Sequence, residues 1–211
     1  MIPATDVDVC NLALDKIGQQ PITSLTSTES VAAEVCKRWY DQTRREVLRA
    51  FIFNFSKKLD VLSYDADKTP AFGYDKAFAL PTKFLRLLAI GDISINADTP
   101  PELYELSEGY LFTNYGDETN TEIKISMVVD EGNVGKFDPL FVKLLYLQLA
   151  SNIAFKFTLK TALKNDLKNE LQLAVSSAIA VNGQEKPPRR VERSKWVRSF
   201  KGGSVDNTRY I

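Results

Sequence analysis

A chain of 211 residues that is 44% hydrophobic, with 27 lysines and arginines against 27 aspartates and glutamates, can bury one substantial core without a metal or a disulfide. It contains no histidine, which excludes zinc sites of the His/Cys type, Ser-His-Asp and Cys-His nucleophile systems, and the histidine-bearing metalloprotease motif. Its ten glycines form neither a P-loop nor a G-x-G-x-x-G turn, so nucleotide-dependent catalysis has no support.

Residues 1–8 carry neither a basic leader nor an apolar run, so no secretory signal is expected. Thr5 followed by Asp8 predicts a helix N-cap, and Val7, Cys10, Leu14 and Ile17 recur on one face until Gly18 stops the helix. Pro21 and several hydroxyl residues mark a loop. Thr28 and Val31 then restart a long helix whose period runs through Ala32, Val35, Cys36, Trp39, Tyr40, Thr43, Val47 and Phe51. Lys37, Arg38, Asp41, Arg44, Arg45 and Glu46 fall outside that apolar series. Cys10 and Cys36 lie on the apolar faces of these helices and read as buried, reduced thiols, which fits assembly in a reducing cytoplasm.

After Phe53-Asn54-Phe55 the pattern turns aromatic and β-branched, broken by Pro70, Gly73, Pro81, Pro100 and Pro101. Ser107-Glu108-Gly109 predicts a hairpin with glycine at a positive φ, and Ile123, Ile125, Met127 and Val129 alternate with Lys124, Ser126 and Val128 as in a half-buried strand. Asp138-Pro139 opens another helix, apolar on most sides through Phe157; its interruption by Lys143, Gln148, Ser151, Asn152, Lys156 and Thr158 marks a buried helix rather than a membrane span. A last helix from Thr161 places Leu163, Leu167, Leu171, Ala174 and Ala178 on one face, with Gly183 as terminator. The expected fold is therefore α+β. Residues 1–56 and 137–183 form a helical bundle, 57–136 an inserted small antiparallel sheet, and 184–211 an extended basic arm.

Eight cations meet three carboxylates from Gly183 onward, a balance of +5, so the preceding body carries −5. The arm has Pro187-Pro188, Gly202-Gly203 and only scattered anchors in Trp196, Phe200 and Tyr210, too little for a core of its own. It reads best as an arm that folds onto a partner protein, ahead of nucleic-acid contact or a merely solubilising tail. A carboxylate pair among Glu102, Glu105, Glu108, Asp117, Glu118, Asp130 and Glu131 would suit glycoside hydrolysis, but 27 acidic residues offer such pairs by chance. Asp65 and Asp67 lack the glycine and terminal glutamate of a calcium loop. No cofactor, metal or catalytic residue is expected.

Asn11-Leu12-Ala13-Leu14, Ile17-Gly18, Pro21-Ile22, Ser24-Leu25, Trp39-Tyr40-Asp41, Arg44, Val47-Leu48 and Phe53-Asn54-Phe55 follow one another in an order that resembles the tail tubular protein A family of short-tailed phages, the head-to-tail adaptors or connectors. The likeness extends to Leu80-Pro81, Phe84-Leu85-Arg86, Phe137-Asp138, Phe141 and Phe157-Thr158, covering most of the chain except the arm. The resemblance implies a structural virion protein of the tail or neck, assembled in the host cytoplasm as a ring of twelve subunits beneath the portal. It implies that the bundle surrounds the DNA ejection channel, in transient contact with the genome, and that the sheet faces the tail nozzle, tail tubular protein B. On that reading the protein is not an enzyme, and the portal-binding arm uses Arg189, Arg190, Arg193, Trp196, Arg198 and Phe200. A tail-associated cell-wall or polysaccharide glycosidase and a nucleic-acid-binding factor are the alternatives.

Overall fold

The computed structural model describes residues 3–26, 30–68, 70, 72–115, 121–159 and 161–184. Helix α1 spans Asp6–Lys16 and opens on a reciprocal cap: the Thr5 hydroxyl accepts from the Asp8 amide at 3.2 Å while the Asp8 carboxylate accepts from the Thr5 amide at 3.0 Å. Gly18, with φ +70°, turns the chain out of the helix. The following loop is tied back by Asn11, whose amide side chain donates to the Ile22 carbonyl at 3.0 Å and accepts from the Ile22 amide at 2.8 Å.

Helix α2 spans Val31–Ala50 and is capped by Ser30, which accepts from the Ala33 amide. Thr28, the expected start, lies outside the described residues. A single 3-10 turn, Asn54–Ser56, then delivers the chain to seven strands: β1 Lys57–Ser63, β2 Lys76–Ala79, β3 Phe84–Ile90, β4 Ile93–Ser94, β5 Tyr104–Ser107, β6 Tyr110–Thr113 and β7 Glu122–Val129. Helices α3, Pro139–Thr158, and α4, Thr161–Gln184, complete the chain. Asp138 caps α3, accepting from the Leu140 amide at 2.7 Å, with Pro139 at the first position as anticipated. Among the described residues, four α-helices and two small antiparallel sheets make this an α+β fold.

Two expectations need correction. The single expected sheet is two: a four-stranded sheet in the order β1-β7-β3-β4 and a three-stranded sheet in the order β2-β6-β5. Strand β7 is flanked on both sides by its own partners and β6 by its own, so each sheet closes around a different central strand. The expected helix terminator at Gly183 does not act as one, because α4 continues through it to Gln184 and Gly183 is not among the glycines with positive φ. With open space around its missing side chain, nothing at that position breaks the helix.

Two cores hold these elements. One joins Leu62, Leu87, Ile90, Ile123, Ile125 and Met127 of the first sheet to Phe78 and Leu111 of the second. The other is helical, centred on α3, which packs against α1, α2 and α4 and buries ten residues including Phe141, Leu145, Leu149 and Ile153. Helix α3 is long and apolar enough to cross a membrane by length and composition, and here 56% of that stretch is buried, packed against the other three helices. Phe53, Phe55, Phe137 and Phe141 form an aromatic knot at its start, with ring centroids 4.8 to 5.8 Å apart.

Strand β7 serves both cores. Ile123, Ile125 and Met127 face the inter-sheet core, while Val128 on the opposite face enters the helical one, which departs from a simple alternation ending at Val129. Strand β3 does the same by bulging. The register slips at Leu85 and again at Leu88, and both of these residues pack on the helical core while Leu87 and Ile90 face the sheets.

Candidate interaction surface

The junction between helices and sheets is built by arginines of α2. Asp130, just past the end of β7, accepts from Arg44 Nε at 3.1 Å and from Arg45 Nε at 2.8 Å, and its backbone amide donates to the Lys83 carbonyl at 2.8 Å beside the start of β3. Arg44 also pairs with Asp41 at 2.7 Å. One turn further, Arg49 donates to the Leu85 carbonyl at 2.6 Å. The Arg44 side chain is only 11% exposed, although the helical period alone leaves Arg44 and Arg45 outside the apolar series; only Asp130, 86 residues away in sequence, makes its burial affordable.

The carboxylates considered for hydrolysis are dispersed. Glu102 sits in a 3-10 turn, Glu105 on β5 and Glu108 at the hairpin tip, where it pairs with Lys68 at 2.6 Å. That lysine holds the Glu108 carboxyl below its usual range. Glu131 is likewise held low, first by the Asn133 amide and then by Lys136. A general acid for glycoside cleavage needs the opposite shift. Asp130 is committed to two guanidiniums, and Asp117 and Glu118 lie outside the described residues. No group of three or more Cys, Asp or Glu side chains among the described residues is placed to hold a metal.

Cys10 and Cys36 meet between α1 and α2 as free, buried thiols. A hydrogen bond donated to Cys36, and then burial, push the Cys10 thiol up and keep it protonated, so Cys10 behaves as a packing group.

What the fold presents outward is more informative. From Leu171 to Gln184 helix α4 carries no charged residue over fourteen positions, yet Gln172, Leu173, Ser176, Ser177, Ile179, Ala180 and Val181 face solvent. Leu173 is 72% exposed and Ile179 57%. Phe155 and Leu159 continue this apolar exposure at the α3–α4 corner, where Leu159 closes α3 with φ +54°. A second, separate exposure stands on the sheet side: Phe72, in a recess that it shares with Pro70, Tyr74 and Phe112 and with the charged Lys68, Glu105 and Glu108. Charge is also unevenly placed, since residues 57–136 hold fourteen carboxylates against eight cations, a balance of −6 that exceeds the −5 of the whole body.

The arm residues Arg189, Arg190, Arg193, Trp196, Arg198 and Phe200 lie outside the described residues. The described chain ends at Gln184, the last residue of α4. The last turn of α4 rests against the end of α2, with Asn182 donating to the Ile52 carbonyl and Ala178, Val181 and Asn182 sharing a recess with Phe53, Asn54 and Phe55. No known family model matches the sequence, and no curated protein matches it significantly.

Proposed function

We propose that this chain is a ring subunit of a short-tailed phage neck, a head-to-tail adaptor of the tail tubular protein A kind that joins the portal to the tail nozzle. In this reading the four helices form one bundle about the DNA ejection channel, the sheets of 57–136 are an insertion facing the nozzle, and 184–211 is an arm that grips the portal. The protein then works as a structural virion component of the neck, assembled in the host cytoplasm, and not as an enzyme.

One observation carries the reading: among the described residues the subunit exposes unlike apolar surfaces on different elements, among them the uncharged outer face of α4 and the Phe72 region of the sheets. Head-to-tail contacts close into a ring only when each subunit offers two different complementary patches, and apolar exposure of this kind favours association. Two further features agree with it. A net-acidic body lets a phosphate backbone pass without gripping it, and an arm with a +5 balance and two large aromatic residues suits docking on an acidic partner surface.

Electron microscopy with mass determination, on the protein alone and mixed with the portal from the same genome, tests the proposal. The expected result is a closed ring, twelve-fold on the portal. Removal of 184–211 is expected to abolish portal binding while the body stays folded. A subunit that ignores the portal in both forms would overturn the assignment.

A further inference from the structure

Strand β1 is an open edge. Among the described residues it pairs only with β7, apart from the single Tyr64–Phe78 bridge beyond its end. The Tyr64 amide donates to the Thr121 carbonyl at 2.7 Å, which sets the phase of the ladder. Lys58, Asp60 and Leu62 therefore direct their backbone groups to β7, and Lys57, Leu59 and Val61 turn theirs to the free side. The Val61 amide is met only by the neighbouring Asp60 carboxylate, at 3.2 Å, a local stand-in for a strand partner. Leu59 is 81% exposed and Val61 49%, and with Gly91, Lys124 and Ser126 they border a recess of about 400 Å³. Folded proteins rarely leave such an edge bare.

The end of α4 packs on the segment that leads into this strand. Asn182 and Val181 lie against residues 52–55, immediately before Lys57, and twenty-seven residues follow Gln184. Seven residues of extended chain, from Gln184 to Val191, cover up to about 24 Å. Residues 191–200 contain no proline or glycine, and Trp196, Arg198 and Phe200 occupy alternate positions, the period of a strand.

We propose that residues 191–200 add to the free edge of β1 as a further strand of the same subunit, with Trp196 and Phe200 covering Leu59 and Val61. This is the resting place of the arm before any partner is met. It does not depend on the ring assignment, and its test uses the subunit alone, so the two fail separately. Amide exchange on the intact chain, read residue by residue by NMR, is compared with a Val197→Pro variant, because proline cannot donate to a ladder. At least tenfold protection is expected at Leu59, Val61 and within 191–200, lost at both places in the variant and unchanged by dilution. Unprotected exchange in 191–200, or no response at Leu59 and Val61 to Val197→Pro, overturns the proposal. Protection that disappears on dilution overturns the same-subunit assignment, because the strand then comes from a second copy. Trp196→Asp, which keeps the backbone donor, is expected to weaken the protection less than the proline.

Discussion

Among the described residues, the phenol of Tyr40 is the only buried side-chain polar atom without a hydrogen-bond partner. Burial pushes its ionisation upward, so the hydroxyl stays neutral, and the Arg44 guanidinium lies 5.8 Å from the ring centroid. A buried hydroxyl with no partner costs about 1 to 3 kcal/mol in lost hydration, whereas the ring packs equally well without it. Tyr40→Phe is expected to raise stability by about 1 kcal/mol, read from the urea midpoint at constant slope; a loss would show that the hydroxyl is solvated or bonded. Tyr40 is legible in sequence as a core position of α2, but its missing partner is not, because that depends on what α1 and the sheet bring near it.

At the scale of elements, the turns separate two uses of positive φ. Glu108-Gly109 joins β5 to β6 with φ +52° and +81°, the two-residue turn whose twist matches a hairpin, and no atom lies within 4 Å of a Cβ built on Gly109. Gly91, between β3 and β4, has φ +53° and sits beneath the Tyr115 ring, which a Cβ would strike. Gly109→Ala is expected to cost about 1 kcal/mol of left-handed strain. Gly91→Ala adds overpacking against Tyr115 and is expected to cost about 3 kcal/mol in all. Thermal denaturation of the two variants side by side checks the order. The hairpin glycine was readable from Ser107-Glu108-Gly109. Gly91 was not, since its constraint comes from Tyr115, 24 residues away.

At the scale of the whole molecule, the proposed ring uses the outer face of α4 as one of its contacts. Leu173, 72% exposed, points away from the helical core, whereas Ile179 also lines a recess with Phe51 and Ile52. Leu173→Glu is therefore expected to change the subunit's stability by no more than about 0.5 kcal/mol. The same variant is expected to fail in ring formation on the portal, read by sedimentation and microscopy. A ring formed by it would place the subunit contacts elsewhere. The surface pair Lys16–Glu170, at 2.7 Å between α1 and α4, is exposed on both sides and leaves this expectation unaltered.

The sequence alone determined what is local. The Thr5–Asp8 cap, the Asp138-Pro139 start of α3, the periods of all four helices, the alternation of Ile123, Ile125 and Met127 and the hairpin at Glu108-Gly109 each rest on residues within a few positions of one another. Tertiary structure decided what depends on distant neighbours. Two sheets form instead of one because β7 pairs with the distant β1 and β3 while β6 pairs with the distant β2. Val128, Leu85 and Leu88 turn to the helical core because helices pack over that face. Arg44 is buried because Asp130 receives it. The uncharged stretch of α4 could be read from its residues, but that it faces outward, and that β1 keeps a free edge beside the root of the arm, follows only from the packing of helices and sheets, since burial is a property of neighbours and not of the residue itself.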